Sequence, residues 1–410
     1  MRKLQAPRGT LDVLPANGRR RLELFATAGE LLGRAGYEPM ETPVFEDTEV
    51  FARGVGESTD IVQKEMFTFE DKAGRSLTLR PEATAGLCRA YIEHGMHKLP
   101  QPVKVWYAGP FFRHEAPQAG RFRQFTQIDA EAIGSDDPSL DAELILLLAE
   151  LLDRAGTGPS RLRLSSLGTP ATRAEYVEEL TRFLRARESE LSEEVRARLD
   201  QNPLRAFDAD HPGTQAVMAD APRLIDRLAP EDAEHFADVR ALLDEAGMEY
   251  ELDATLVRGL DYYTRTVFEF ESERLGAQAA LGGGGRYDGL IEELGGPPTP
   301  GVGWAAGVER ILLAAGDADQ DASADVFVAY AEGHTGAFAV TQLLRSAGFR
   351  TQLEQAGRSM KGQLRHADRI GARAVVVVGD EIEVKDMATG EQTPVGSARE
   401  AVSAVEGLLA

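Results

Sequence analysis

One cysteine, Cys88, stands in a chain of 410 residues. A lone thiol excludes an intrachain disulfide framework and offers no cysteine cluster for zinc. No run of about 18 apolar residues occurs, which predicts no transmembrane helix. Met1 to Arg8 is basic but lacks the apolar stretch of a signal peptide, so a cytoplasmic location and no membrane partner are expected. No G-x-x-x-x-G-K-[ST] phosphate loop is present, and Gly301, Gly303 and Gly307 do not form a G-x-G-x-x-G unit with a later acidic residue. The seven histidines are scattered, and the close pair His94 and His97 lacks an H-E-x-x-H pattern, so they read as surface residues rather than metal ligands. No Ser-His-Asp or Cys-His arrangement stands out, and no repeat is found.

The net charge of -22 argues against a surface that coats nucleic acid indiscriminately. A local basic site remains open. Seven Lys/Arg lie between Arg345 and Arg373 against Glu354 and Asp368. Arg358, Lys361, Arg365 and Arg369 step by 3, 4 and 4, which places them on one face of a helix. A solvated helix face explains the same spacing.

The length predicts two to four domains. Arg19–Arg34 has helical spacing and stops at Gly36. Leu77–Leu79 and Val103–Tyr107 read as short strands. Ser139–Ala155 reads as an apolar helix opening after Asp136-Asp137-Pro138. Residues 170–250, rich in Glu, Arg, Ala and Leu, read as a helical insertion. Strands are expected again near Leu256–Val257 and Thr266–Phe270. Asp317–Ala324 suits a linker. Beyond it, strand and helix alternate through Val326–Tyr330, Gly336–Gly348, a basic helix and Ala374–Val378, predicting a small α/β domain with mainly parallel pairing.

Three stretches carry chemistry. Arg258-Gly259-Leu260-Asp261-Tyr262-Tyr263-Thr264 and Leu281-Gly282-Gly283-Gly284-Gly285-Arg286-Tyr287-Asp288 combine cations, tyrosines and a glycine run. Four consecutive glycines weaken any regular element, so backbone passing close to a ligand or another chain is expected there. Arg80-Pro81-Glu82-Ala83-Thr84, Phe112-Arg113-His114-Glu115 and Gly120 to Glu131 form the second. Arg113, Arg121 and Arg123 offer bidentate donors for phosphate or carboxylate, and Phe125 can stack on a base; ion pairing on an edge strand is the plainer explanation. In the third, Gly301 to Ile311, small residues and Glu309-Arg310 suggest a helix packed closely on a sheet. Positioned arginines and metal-bound phosphates, without a covalent protein nucleophile, fit this inventory.

In this order the stretches resemble the motifs of class II aminoacyl-tRNA synthetases, and within them the histidyl-tRNA synthetase family. Gly36-Tyr37-Glu38-Pro39-Met40-Glu41-Thr42-Pro43 resembles the first class motif, a dimer interface in that family. Arg80 to Glu131 resembles the second and Gly303 to Arg310 the third. Leu256 to Thr264 and Gly284 to Asp288 resemble the two histidine-specific motifs. The resemblance covers nearly the whole chain. It implies an α+β fold: an antiparallel-sheet catalytic domain over 1–320, a helical insertion at about 170–250, and an α/β anticodon-binding domain over 325–410. It also implies attachment of L-histidine to tRNA(His) through a histidyl-adenylate, with ATP and Mg2+ bound to it, by a homodimer.

Carried over by position, Glu82, Ala83 and Thr84 with Gln127 would hold the histidine α-amino group. Glu131 and Tyr263 would read the imidazole, with Tyr262 beside them. Arg113 would contact the α-phosphate and the histidine carboxylate, and Arg258, also at the histidine, would sit opposite it as the second member of the catalytic pair, stabilising the charge that grows on the α-phosphate. Phe125 would stack on adenine, Arg121 would bind ATP, and Arg310 would hold the γ-phosphate. Gln118, Arg358, Lys361 and Arg365 would touch tRNA.

Two departures stand out. Ala116 occupies a place where the bacterial family usually has an arginine associated with reading the extra 5′ guanosine. Gly379 to Lys385 is several residues shorter than usual. The alternative is a non-catalytic paralogue, the regulatory subunit of ATP phosphoribosyltransferase. That family tends to lose the arginine at position 258 and the anticodon domain, and both are present here.

Overall fold

Val103–Phe112 alternates buried and half-buried side chains over all ten residues, as a strand with one core face must. It is the spine of a computed structural model that describes all residues except 1–3, 57–58, 117–119, 201–202, 257–258, 277–278, 317–323, 332–335 and 410, and only the backbone of 205 and 208. The chain divides into two units, Met1–Asp317 and Ala318–Ala410.

The strands of the first unit are β1 (Glu38–Pro39), β2 (Phe45–Asp47), β3 (Phe67–Glu70), β4 (Ser76–Leu79), β5 (Val103–Phe112), β6 (Gln124–Ile133), β7 (Arg161–Ser166), β8 (Glu251–Leu252), β9 (Thr264–Glu271), β10 (Ala280–Arg286) and β11 (Gly301–Gly307). Eight of them form one sheet in the order β1-β5-β6-β11-β10-β9-β7-β8. The six central strands pair antiparallel, and only the short edge strands β1 and β8 pair parallel. β2, β4 and β3 form a separate antiparallel sheet.

Helices α1 (Pro15–Arg34), α2 (Thr48–Val55), α3 (Thr84–Glu93) and α4 (Pro138–Arg154) precede the insertion. α1 begins at Pro15, whose fixed φ suits a first helical turn. Asp137 caps α4 by accepting from the Ser139 N–H at 2.9 Å. The insertion holds α5 (Pro170–Arg185), α6 (Glu193–Arg198), α7 (Pro212–Ala219) and α8 (Pro230–Glu245). Tyr176, Leu180, Leu184, Leu199 and Met218 give it an apolar cluster of its own. α9 (Leu290–Glu293) and α10 (Val308–Ala314) complete the unit.

One face of the large sheet presents Ile128, Ala130, Phe268, Phe270 and Trp304 to Leu144, Leu148 and Leu151 of α4 and to α1 and α8. The other face carries Val105, Tyr107, Val267 and Tyr287 against Leu87 and Tyr91 of α3. The candidate site opens on this second face.

The second unit contains β12 (Val326–Tyr330), α11 (Ala337–Ser346), β13 (Thr351–Leu353), α12 (Met360–Arg369), β14 (Ala374–Val378), β15 (Ile382–Asp386), β16 (Gln392–Val395) and α13 (Ala398–Leu409). Its sheet order is β13-β12-β14-β15-β16. Parallel pairing holds only for β13-β12-β14; β14-β15-β16 pair antiparallel. The expectation of mainly parallel pairing fails because Gly379–Glu381 is too short for a crossover and makes a tight turn.

Three other expectations are corrected. The strand at Val103 runs to Phe112, held by ten paired positions with β6. Gly301–Gly307 is strand, and the helix begins only at Val308. Leu256 is buried outside any strand, with β8 lying earlier at Glu251–Leu252; Val257 lies outside the described residues.

Candidate active site

The period of two along β6 puts Gln127, Asp129 and Glu131 on one face. They lie opposite Gly307, Ala305 and Gly303 of β11. A Cβ on Gly303 would sit 1.6 Å from Glu131 Oε2, so glycine leaves room for the carboxylate. The glycine run of β10 is not a loop. It is strand, because a Cβ on Gly284 would lie 1.9 Å from the Gly303 carbonyl oxygen and one on Gly285 2.4 Å from that of Thr266. Close packing of neighbouring strands thus overrides glycine's poor strand propensity. Gly282 and Gly283 line the resulting cleft, whose volume is about 500 Å³.

In this cleft, Glu82 sits at the start of α3, accepting from the Thr84 N–H at 2.8 Å and the Ala85 N–H at 2.9 Å. Unpaired amides at a helix start favour an anion. Burial nevertheless raises its pKa, with those amide bonds opposing the rise. Glu131 is 2% exposed and uses both oxygens: Thr84 donates to Oε1 at 2.7 Å and the Tyr287 hydroxyl to Oε2 at 2.5 Å. Burial pushes its pKa up to about 8, against the pull of those two hydrogen bonds. Tyr262 donates to Glu82 at 3.4 Å, and its ring packs 4.8 Å from that of Tyr263 and 5.9 Å from that of Tyr287. Gln127 Oε1 is buried without a partner, an acceptor directed at whatever fills the cleft.

The same cleft is lined by Arg113, Arg121, Phe125 and Arg310. Arg113 donates from Nε to the Pro81 carbonyl at 2.9 Å, and its guanidinium lies 5.3 Å from the centre of the Phe125 ring. Glu115 stands between two cations, 3.8 Å from Arg113 and 3.1 Å from Arg121. Arg310 donates to the Ala280 carbonyl, and burial followed by the nearby Arg121 lowers its pKa. A cleft lined by the buried carboxylate of Glu82 and by three arginines suits a ligand with N–H donors joined to an anion.

The structure brings together Glu82, Thr84, Arg113, Arg121, Phe125, Gln127, Tyr262, Tyr263 and Arg310 around this cleft; Glu131 is not among the lining residues and is held by Thr84 and Tyr287, which are. Ala83 is not among the residues lining it; it is 3% exposed and packs with Leu87 and Tyr91 in the cluster beneath. Arg258 and Gln118 lie outside the described residues. Lys361 and Arg365 are exposed on α12 of the second unit. Arg358 is not on that helix: it precedes the cap Ser359 and pairs with Glu354 at 3.1 Å.

Arg286, in the stretch read as a cleft wall, serves the scaffold instead. It is fully buried, pairs with Asp141 at 2.6 Å, and donates to the Asp137 carbonyl at 2.9 Å, tying the end of β10 to the start of α4. Arg80 is likewise 1% exposed, bound to the carbonyls of Thr42 and Pro110.

Two site residues were missed from the sequence. Tyr287 reaches Glu131; it stands in the Gly284 to Asp288 motif, but no role was assigned to it there. Asp129 shares the face of Gln127 and Glu131, so the period of two could have found it. Burial raises its pKa far above the usual range, with Glu131 adding to the rise.

A family model described as histidyl-tRNA synthetase matches residues 9–311, and one described as anticodon binding domain matches 325–407. A histidine–tRNA ligase of Rubrobacter xylanophilus is 48% identical, with 94% of this chain and 95% of the relative covered. One from Halothermothrix orenii is 45% identical, with 96% of each covered. The solved structure of apo S. aureus histidyl-tRNA synthetase is 36% identical, superposes with a TM-score of 0.80, and covers 99% of this chain and 100% of its own. A Bacillus halodurans structure titled as an ATP phosphoribosyltransferase regulatory subunit/histidyl-tRNA synthetase is only 22% identical, with a TM-score of 0.67 over 92% of this chain and 98% of its own, and shows the shared fold alone. The regulatory-subunit alternative is therefore not favoured. On the full-length identity and both matched models, the chain belongs to the histidyl-tRNA synthetase family.

Proposed function

We propose that this cleft activates L-histidine with ATP and that the chain then transfers the histidyl group to tRNA(His). As a member of its family the chain is a class II ligase joining histidine to tRNA. The observation that carries the site assignment is Glu131, a buried carboxylate fixed by Thr84 and Tyr287, which line a cleft that Arg113, Arg121 and Arg310 also line. Glu131 and Tyr263 read the imidazole; a site built around a buried carboxylate rejects isosteres that lack the matching N–H. Glu82, Thr84 and Gln127 hold the α-amino group. Arg113 and Arg258 flank the α-phosphate and stabilise the charge that grows there as the substrate carboxylate attacks in line. Phe125 and Arg121 hold the nucleotide and Arg310 its γ-phosphate. Magnesium arrives on the ATP phosphates and neutralises the departing pyrophosphate.

The catalytic domain spans 1–320 with its insertion at about 170–250, and 325–410 binds the anticodon side of the tRNA. The protein is a cytoplasmic homodimer in this reading. Leu11, Val13 and Leu14, exposed beside α1, supply apolar surface for a second copy. Among the described residues no helix is long and apolar enough to cross a membrane.

Histidine-dependent ATP–pyrophosphate exchange tests the assignment. Folded protein that gives no exchange at saturating substrates would sink it. Arg258→Ala is expected to abolish exchange while leaving histidine binding by calorimetry largely intact; equal loss of both would assign the arginine to substrate positioning.

A further inference from the structure

The tyrosine turn is gripped from outside the sheet. Residues Asp261 to Arg265 deliver Tyr262 and Tyr263 to the cleft and then enter β9. Arg173, from the first helix of the insertion, donates to the Asp261 carbonyl at 3.3 Å and also to the Tyr263 carbonyl. Asp232, from the last helix of the insertion, is 0% exposed and accepts from Arg265 Nε at 3.0 Å. The same carboxylate accepts from the Thr169 N–H at 2.9 Å, so it also fixes the start of α5. Arg265 pairs its backbone with both residues at the insertion's entry: its N–H donates to the Gly168 carbonyl at 2.8 Å and its carbonyl accepts from Leu167 at 2.7 Å.

Arg265 sits at φ +44°, alone among the described non-glycine residues in having a positive φ. That conformation is strained for a residue with a Cβ and persists only where its surroundings over-determine it. Two backbone bonds and a buried carboxylate do so here. Arg173 is an expensive way to glue a helix down, since its Nε is buried without a partner. What the guanidinium supplies is a planar fork that spans two carbonyls two residues apart, which a lysine point charge cannot reproduce.

Resting on the histidine-activating role argued above, we propose that Arg173 and the Asp232–Arg265 pair are positioning residues for Tyr262 and Tyr263, so that the helical insertion sets the affinity of the amino-acid subsite. The grip falls on Asp261, Tyr263 and Arg265 and not on Arg113, Arg121 or Arg310. Its loss is therefore read in histidine and not in ATP.

The test is histidine-dependent pyrophosphate exchange by the full chain, with folding checked by thermal melting. Loss of charge-assisted donors to the turn in Arg173→Met should raise KM for histidine about tenfold while KM for ATP stays within about twofold. Arg173→Lys, which keeps a donor but not the fork, should fall between. Asp232→Asn retains the volume and an acceptor for Thr169 but loses the charge facing Arg265; it should raise KM for histidine too, and it carries the test if Arg173→Met does not fold. An unchanged KM for histidine, or equal rises for both substrates, overturns the inference while exchange by the unaltered chain still stands. Absence of exchange by the unaltered chain overturns both.

Discussion

Tyr287 donates its hydroxyl to Glu131 Oε2 at 2.5 Å, closing a contact between residues 156 apart in sequence. With Thr84 on the other oxygen, each Glu131 oxygen accepts one hydrogen bond, yet burial still raises its pKa to about 8. At neutral pH the folded chain thus holds a proton that the unfolded chain has released.

This sets a sign for stability. Between the unfolded carboxylate pKa and about 8, the folded state binds one more proton than the unfolded state, so stability falls as pH rises through that window. Glu131→Gln removes the titration. The melting temperature of the wild type should fall relative to Glu131→Gln from pH 5 to pH 8, with a stability slope of up to about 1.4 kcal/mol per pH unit. Parallel melting curves across that range would place the Glu131 proton elsewhere.

The strand glycines separate stability from binding. Gly284→Ala drives a Cβ into the backbone of β11, which cannot swing away. It should cost about 1–3 kcal/mol or more in urea unfolding. Gly303→Ala meets first the Glu131 carboxylate, the movable end of a side chain. It should cost less stability but raise KM for histidine more than tenfold in exchange kinetics, because Glu131 must leave its Thr84 and Tyr287 partners.

Legibility followed sequence distance. α4 was readable because Asp137 and Pro138 announce its start locally. Glu131, Gln127 and Arg113 were readable because they fall within recognisable motifs. Tyr287 and Arg286 fall within one too, but their partners do not show in it: Glu131 and Asp141 are each about 150 positions away and visible only once β10 and α4 are placed. The glycine run was read as backbone close to a ligand, and Gly282 and Gly283 do line the cleft, but its strand conformation was not legible for a physical reason. Propensity disfavours glycine in a strand, but the lack of room between β9, β10 and β11 selects it. The same locality misplaced Arg358, whose spacing fits a helix that in fact begins after it.

Arg286 and Asp141 form a fully buried pair, each 0% exposed. Burial raises the Asp141 pKa, and the Arg286 cation opposes that rise. Arg286→Met strands the carboxylate and should destabilise the chain by about 3–5 kcal/mol in urea unfolding. Adding Asp141→Leu should recover much of the loss, since an apolar pair of similar volume removes the desolvation penalty. A double variant no more stable than Arg286→Met would show that the carbonyl contacts of Arg286 at Ser135 and Asp137 carry the energy instead.

The anticodon-side reading makes α12 a phosphate contact in a protein of net charge -22. Lys361 and Arg365 are exposed and one helical turn apart, whereas Arg358 is engaged by Glu354, itself 1% exposed. Lys361→Glu with Arg365→Glu should therefore weaken tRNA binding more than Arg358→Ala. Each lost phosphate contact should flatten the slope of log K against log salt by roughly 0.7–0.9. Exchange of pyrophosphate, which needs no tRNA, should be unaltered in the double variant, and its KM for tRNA should rise. Filter binding across a salt series checks both the ranking and the slope. If the double reversal leaves aminoacylation and slope unchanged, the basic face of α12 is only a solvated helix surface.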